Sequence, residues 1–198
     1  MICCAVRKAH LASRLGGLAL AALFALACGS SGKVSPGAPR DLTNPFLGPD
    51  YSGWMNGAAA SLATREEIDA FSALTDDAAA AAFVKEFWDR RDPTPDLPGN
   101  AIQEAFEKRS AEADRLFSES GFLGRNTDRG RILVLYGPPT KQDYEVSPHP
   151  DVPAVELWTY GPEAPSGLDG KRPAGFYRFL KRGELTRLYI PGQVDPTL

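Results

Sequence analysis

The run Thr127-Asp128-Arg129-Gly130-Arg131-Ile132-Leu133-Val134-Leu135-Tyr136-Gly137-Pro138-Pro139 decides the fold class of this chain. Its centre, residues 132–136, is apolar at every position. A continuous apolar run of this length matches a strand buried on both faces. Gly137 and the two prolines end it. Thr127-Asp128-Arg129-Gly130 then reads as a turn entering the strand, in which Asp oxygens bond nearby backbone N–H groups and Gly130 tolerates positive φ. Gly137-Pro138-Pro139 is a poor phosphate cradle. Proline lacks the N–H that such a cradle needs, and no Lys-Ser or Lys-Thr follows.

Upstream of this run the pattern is helical. Thr64 and Glu67 have capping-box spacing and start a helix through Leu74. Thr75 is placed to cap the next, with Asp76 and Asp77 in its first turn, where the helix dipole favours negative charge. That helix carries Ala80, Phe83, Val84, Phe87 and Trp88 on one face and stops by Asp92, before Pro93. After a proline-bearing loop, Asn100 and Gln103 open a third helix. Its Ile102, Phe106, Arg109, Ala113, Leu116 and Phe117 follow the helical period, with the Arg109 stem packing beneath a charged head. Downstream the pattern is extended. Residues 155–160 form a strand with Leu157 on one face and Trp158 and Tyr160 on the other. Residues 176–180 and 185–190 flank Arg182-Gly183 as a hairpin. Helices followed by strands predict an α+β domain, with N-terminal helices packed on a small, mostly antiparallel β-sheet.

The first residues predict export. Arg7, Lys8 and Arg14 precede an apolar run over residues 15–27, with no acid in the segment. The run is shorter than the ~20 apolar residues of a membrane span. It ends in Ala25-Leu26-Ala27-Cys28-Gly29-Ser30, which resembles a bacterial lipobox: small residues fit the peptidase, and the Cys28 thiol accepts the lipid. Several acyl chains on Cys28 make a stable anchor. Gly29, rather than Asp, after the cysteine points to the outer membrane. The expected organisation is a signal at 1–27, a Gly-, Ser- and Pro-rich tether at 28–50, and one domain at 51–198.

Composition narrows the chemistry. Cys3, Cys4 and Cys28 are the three cysteines, so the processed chain has no thiol pair for a disulfide and no cysteine metal site. Its one remaining histidine, His149, stands between two prolines and reads as a loop residue rather than a member of a catalytic triad. No cofactor or metal is expected. Removing the signal takes three of the 22 basic side chains and none of the 25 acidic ones, so the net charge moves from −3 to −6. An acidic, exported chain without a basic run is not expected to bind nucleic acid.

Several uncommon strings occur in a fixed order: Phe87-Trp88-Asp89-Arg90-Arg91-Asp92-Pro93, Asn100, residues 106–109, Gly124-Arg125-Asn126-Thr127-Asp128-Arg129-Gly130-Arg131, the apolar run with its Gly-Pro-Pro, and Glu156-Leu157-Trp158-Thr159-Tyr160. Together they resemble the GWxTD domain family of bacterial exported proteins over residues 54–190. Gly124, Thr127 and Asp128 match the motif of the name, and Arg125 stands where its Trp is expected. Asn100-Ala101 keeps half of an Asn-Glu pair seen in many relatives. The resemblance names a domain and implies no reaction.

The residues that stand out are Arg91, Asp92, Thr127, Asp128, Arg129 and Arg131. Their bland reading is an ion-paired cluster joining a helix end to the start of the sheet. The sharper one is a site where Arg129 and Arg131 grip an anionic group by forked hydrogen bonds. Asp89, Asp92 and Asp128 invite a third reading, a carboxylate-dependent hydrolase of envelope sugar or peptide, which requires two carboxyls facing each other across an open cleft. Trp158, Tyr160, Phe176 and Tyr177 read as core, or as a binding patch if exposed. The expected function is a lipid-anchored binding or scaffolding module on the periplasmic side of the outer membrane, with an envelope protein as partner at a sheet edge. The hydrolase and a passive periplasmic spacer are the alternatives.

Overall fold

The computed structural model describes residues 41–146 and 153–189. The expected signal segment, Cys28, His149 and Ile190 lie outside the described residues. The element order is α1 (Ala58–Leu62), α2 (Arg65–Ser72), α3 (Asp77–Asp89), α4 (Ala101–Phe117), a 3₁₀ turn (Gly124–Asn126), α5 (Asp128–Tyr136), β1 (Lys141–Glu145), β2 (Val155–Thr159), β3 (Phe176–Arg182) and β4 (Leu185–Tyr189). Helices precede a four-stranded antiparallel sheet of order β1-β2-β3-β4, so the fold is α+β. No helix among the described residues is long and apolar enough to cross a membrane.

The predicted caps are present with one shift. Thr64 and Glu67 form the reciprocal capping box of α2. The cap of α3 is Asp76 rather than Thr75, its carboxylate accepting from Ala79 N at 2.8 Å. Asn100 Oδ1 accepts from Ile102 N and Gln103 N at the start of α4. The Asn100 amide donates to Trp88 O at 2.8 Å, tying α4 to the end of α3. Phe87, Trp88, Phe106 and Ala113 are buried as expected, whereas Leu116 is exposed.

The decisive run corrects its prediction. Residues 128–136 form a helix, not a turn and a strand. Thr127 is its N-cap, with Oγ1 accepting from Gly130 N at 3.1 Å, and Asp128 begins the first turn. Gly137 ends it at φ +77°, a conformation that suits glycine. Ile132, Leu133, Val134 and Leu135 are all at most 5% exposed, because α5 meets α1, α4, the 3₁₀ turn and β4. A helix enclosed on all sides is apolar all round and loses its periodic signature. Gly130 is helical, without the expected positive φ. Its role is close approach: a Cβ there would collide with the Gly124 carbonyl, and one on Gly124 would collide with that of Ala113. The two glycines let α4, the 3₁₀ turn and α5 stack.

The fourth strand of the sheet is therefore β1, a charged segment that periodicity did not mark. The β3–β4 turn is Gly183-Glu184, one residue later than predicted, with Gly183 at φ +58° as a II′ hairpin requires. Composition placed residues 41–50 in the tether, yet they pack against the domain. Asn44 is 2% exposed and donates to Phe71 O and Leu74 O, satisfying carbonyls at the end of α2. Leu47 joins Met55, Phe71 and Ala80 in an apolar cluster.

Candidate functional site: the helix-sheet junction and the two sheet edges

The sequence-predicted cluster divides in two. Arg91 sits with α2: it donates to Glu67 Oε2 at 2.6 Å, to Leu62 O at 2.8 Å and to Phe87 O at 2.9 Å, with its guanidinium 3.5 Å from the Phe87 ring centre. Burial pushes the Glu67 carboxyl up, but the bonds from Arg91 and the Thr64 N–H outweigh it and hold it below the ordinary range. Asp92 bonds its own turn, Oδ1 accepting from Thr94 N at 2.9 Å. This part of the cluster locks α2 to the end of α3.

The other part, Thr127, Asp128, Arg129 and Arg131, joins α5 to the sheet. Asp128 is 2% exposed. Its Oδ1 lies 3.1 Å from Arg131 Nη2, and its Oδ2 accepts from the backbone N–H of Leu188 in β4 at 2.8 Å. Arg129 bridges two carboxylates, Glu119 at 3.1 Å and Glu156 at 3.2 Å, with its guanidinium 4.9 Å from the Phe117 ring centre. Glu119 in turn accepts from Thr186 N at 2.8 Å and Thr186 Oγ1 at 3.0 Å. Glu156 accepts from Trp158 Nε1 at 2.7 Å and from the Gln142 amide. Glu119 and Glu156 were not singled out in the sequence. Glu156 was legible in part, since an acid in the inward register of an otherwise aromatic strand face needs a buried partner.

The register shows what these carboxylates do. In a two-residue hairpin the pair flanking the loop is hydrogen-bonded, and pairs alternate from there. Thr186 and Leu188 therefore aim their N–H groups away from β3, along the free edge of β4. Glu119 and Asp128 cap those two amides from the helical layer. The same logic applied to β2, where Tyr160 N donates to Gly175 O, puts Lys141, Asp143 and Glu145 in bonded pairs with β2. Gln142 and Tyr144 then aim their amides outward, and no described residue bonds them. Beside them Tyr144 is 70% and Val146 94% exposed. One edge of the sheet is closed by carboxylates, and along the other no described residue bonds the outward amides.

The carboxylates of the hydrolase reading do not meet across a cleft. Asp89 pairs with Lys85 at 2.6 Å on the exposed face of α3, Asp92 bonds its turn, and both oxygens of Asp128 are engaged in the interior. Among the described residues no group of three or more His, Cys, Asp or Glu side chains is placed to hold a metal ion. Trp158 and Tyr160 are core, at 1% and 5% exposed, while Phe176 turns to the other face under Arg178, 4.4 Å away. Arg125, at the position of the expected Trp, clamps the 3₁₀ turn to α4: its N–H donates to Asp114 Oδ1 and its guanidinium holds Oδ2. Arg109 lies beneath the end of α5, donating to Val134 O and Leu135 O at 3.1 Å, and burial holds its pKa below the usual value. No family model, no curated protein and no solved structure matches the chain.

Proposed function

We propose that this chain is a binding or scaffolding module of the bacterial cell envelope, anchored to the outer membrane by lipid on Cys28 and facing the periplasm, and that it takes up an extended strand of an envelope protein along β1. The kinship with the GWxTD group implied by the motif order belongs to the same reading. The observation that carries it is the unequal treatment of the two edges. Unpaired edge amides are a template for another strand, and a chain that blocks one edge with buried carboxylates leaves the other as the place to add one. Of the carboxylates and arginines that resemble a reactive site, Asp128, Arg129 and Arg131 are consumed at the closed edge, and Arg91 and Asp92 in the α2–α3 contact and its turn.

The test is site-specific photo-crosslinking in membranes, with the probe at Tyr144 and, as control, at Glu163 in the exposed loop after β2. The reading predicts one reproducible partner from Tyr144 and none from Glu163. It further predicts loss of that product in Gln142→Pro, which removes an outward N–H and leaves the β1–β2 ladder in place. Equal capture from both positions, or none, would support the passive spacer instead.

A further inference from the structure

The end of the molecule beside β4 carries a second exposed feature. Glu119 to Phe122 form a tight turn, with Ser120 at φ +48° and Gly121 at φ +81°, closed by Phe122 N donating to Glu119 O at 2.9 Å. Ser120 Oγ lies 3.2 Å from Glu184 O, so this turn abuts the β3–β4 turn. Out of the paired turns project Phe122 and Leu123, 52% and 54% exposed. Phe122, Leu185 and Arg187 line one crevice between the turns.

Cations flank this tip. Arg187 borders Phe122 in that crevice, and Lys181 stands opposite Thr186, another of its lining residues, in the hairpin. Neither forms an ion pair with another described residue. Of the acids nearby, Glu119 pairs with Arg129 and Thr186, while Glu184 accepts from the Ser120 hydroxyl and keeps its charge, so that two cations face one free carboxylate.

We infer that this tip docks on an anionic lipid surface, with Phe122 and Leu123 entering the headgroup–acyl boundary and Lys181 and Arg187 meeting lipid phosphates. Two apolar side chains on convex turns fall far short of the roughly 20–30 residues a side of a stable protein interface. A bilayer needs no such area: a few apolar side chains and flanking cations on long stems give reversible contact with its surface, which the acyl anchor then makes lasting. The proposal rests on the proposed function only for the presence of a membrane nearby. It also adds to that reading, because the tip lies by β4, at the edge opposite β1, and docking leaves β1 uncovered.

The test uses the full chain with Cys3, Cys4 and Cys28 changed to Ser, so that acylation plays no part. A polarity-sensitive fluorophore is attached through Leu123→Cys or, as control, through Leu97→Cys, a site 62% exposed in the α3–α4 loop. Vesicles of phosphatidylglycerol and phosphatidylethanolamine should shift the emission of the label at 123 to the blue and leave that at 97 unchanged. Lys181→Gln with Arg187→Gln should raise the lipid needed for half of the change about tenfold or more. A label at 123 that stays in water, or one that responds no differently from 97, would overturn the proposal. Failure of acylation at Cys28 appears in the intact mass of the membrane-bound chain and leaves this assay untouched.

Discussion

β4 and β1 are the outer strands of one sheet, and each turns two amides away from its neighbour. At β4 those of Thr186 and Leu188 meet the carboxylates of Glu119 and Asp128. At β1 those of Gln142 and Tyr144 meet no described residue, and the strand is charged and short. Charge and brevity discourage unspecific pairing but leave the backbone available to a chosen partner. Closing the β4 edge takes a buried acid on each outward amide and arginines to balance them. The difference teaches that a conspicuous polar string can belong to the framework while the surface that recognises a partner is carried by an unremarkable one.

Breaking the closed edge gives the largest expected effect. Asp128→Ala leaves the Leu188 amide unsatisfied and Arg131 without its buried partner, and should cost about 3–5 kcal/mol of unfolding free energy. Urea titration of the variant checks this; a fully stable Asp128→Ala variant that lost only binding would favour a binding site over a structural junction. Gly130→Ala attacks the same edge from behind, by pushing α5 off the 3₁₀ turn. The gain of about 1 kcal/mol from helix propensity is outweighed, and a net loss of about 1–3 kcal/mol is expected in the same titration.

Two further changes sharpen the comparison by leaving both edges intact or by touching only the open one. Glu67 is held below the ordinary carboxylate range in the fold. The stability it contributes is therefore present above its unfolded pKa, near the usual 4.5, and is lost as pH falls through the lower folded value. Thermal melts between pH 7 and pH 3 should show Glu67→Gln less stable than the parent at neutral pH and less sensitive to acid. Tyr144→Ala, at a side chain 70% exposed, should change stability by no more than about 0.5 kcal/mol while reducing partner capture through β1. A large loss of stability there would mean that Tyr144 belongs to the framework.

The helical half was legible because its signals are local. Thr64 with Glu67, and Asn100 with Gln103, are caps whose geometry depends on residues three apart. The run at 127–139 carried equally local signals: Thr127 as cap, Asp128 in the first turn, Gly137 and then Pro138 at the end. They were outweighed by an apolar centre whose uniformity follows from burial on all sides, a pattern that a buried helix and a buried strand share. β1 was illegible for the opposite reason: an edge strand paired on one side needs no apolar alternation. Thr127, Asp128, Arg129 and Arg131 stood out as residue types, but the partners that tie Asp128 and Arg129 to the sheet and its flank lie 10 to 60 residues away, in pairings that only the tertiary structure supplies. Arg91 separated from them because Glu67, an acid already explained as part of a cap, was also its partner.

Amide hydrogen exchange resolved at Thr186, Leu188, Gln142 and Tyr144 tests the central claim most directly. The account predicts protection of Thr186 and Leu188 close to that of the α5 core, rapid exchange at Gln142 and Tyr144, and selective loss of protection at Leu188 in Asp128→Ala. Equal protection at both edges, or a Leu188 amide indifferent to Asp128, would contradict it.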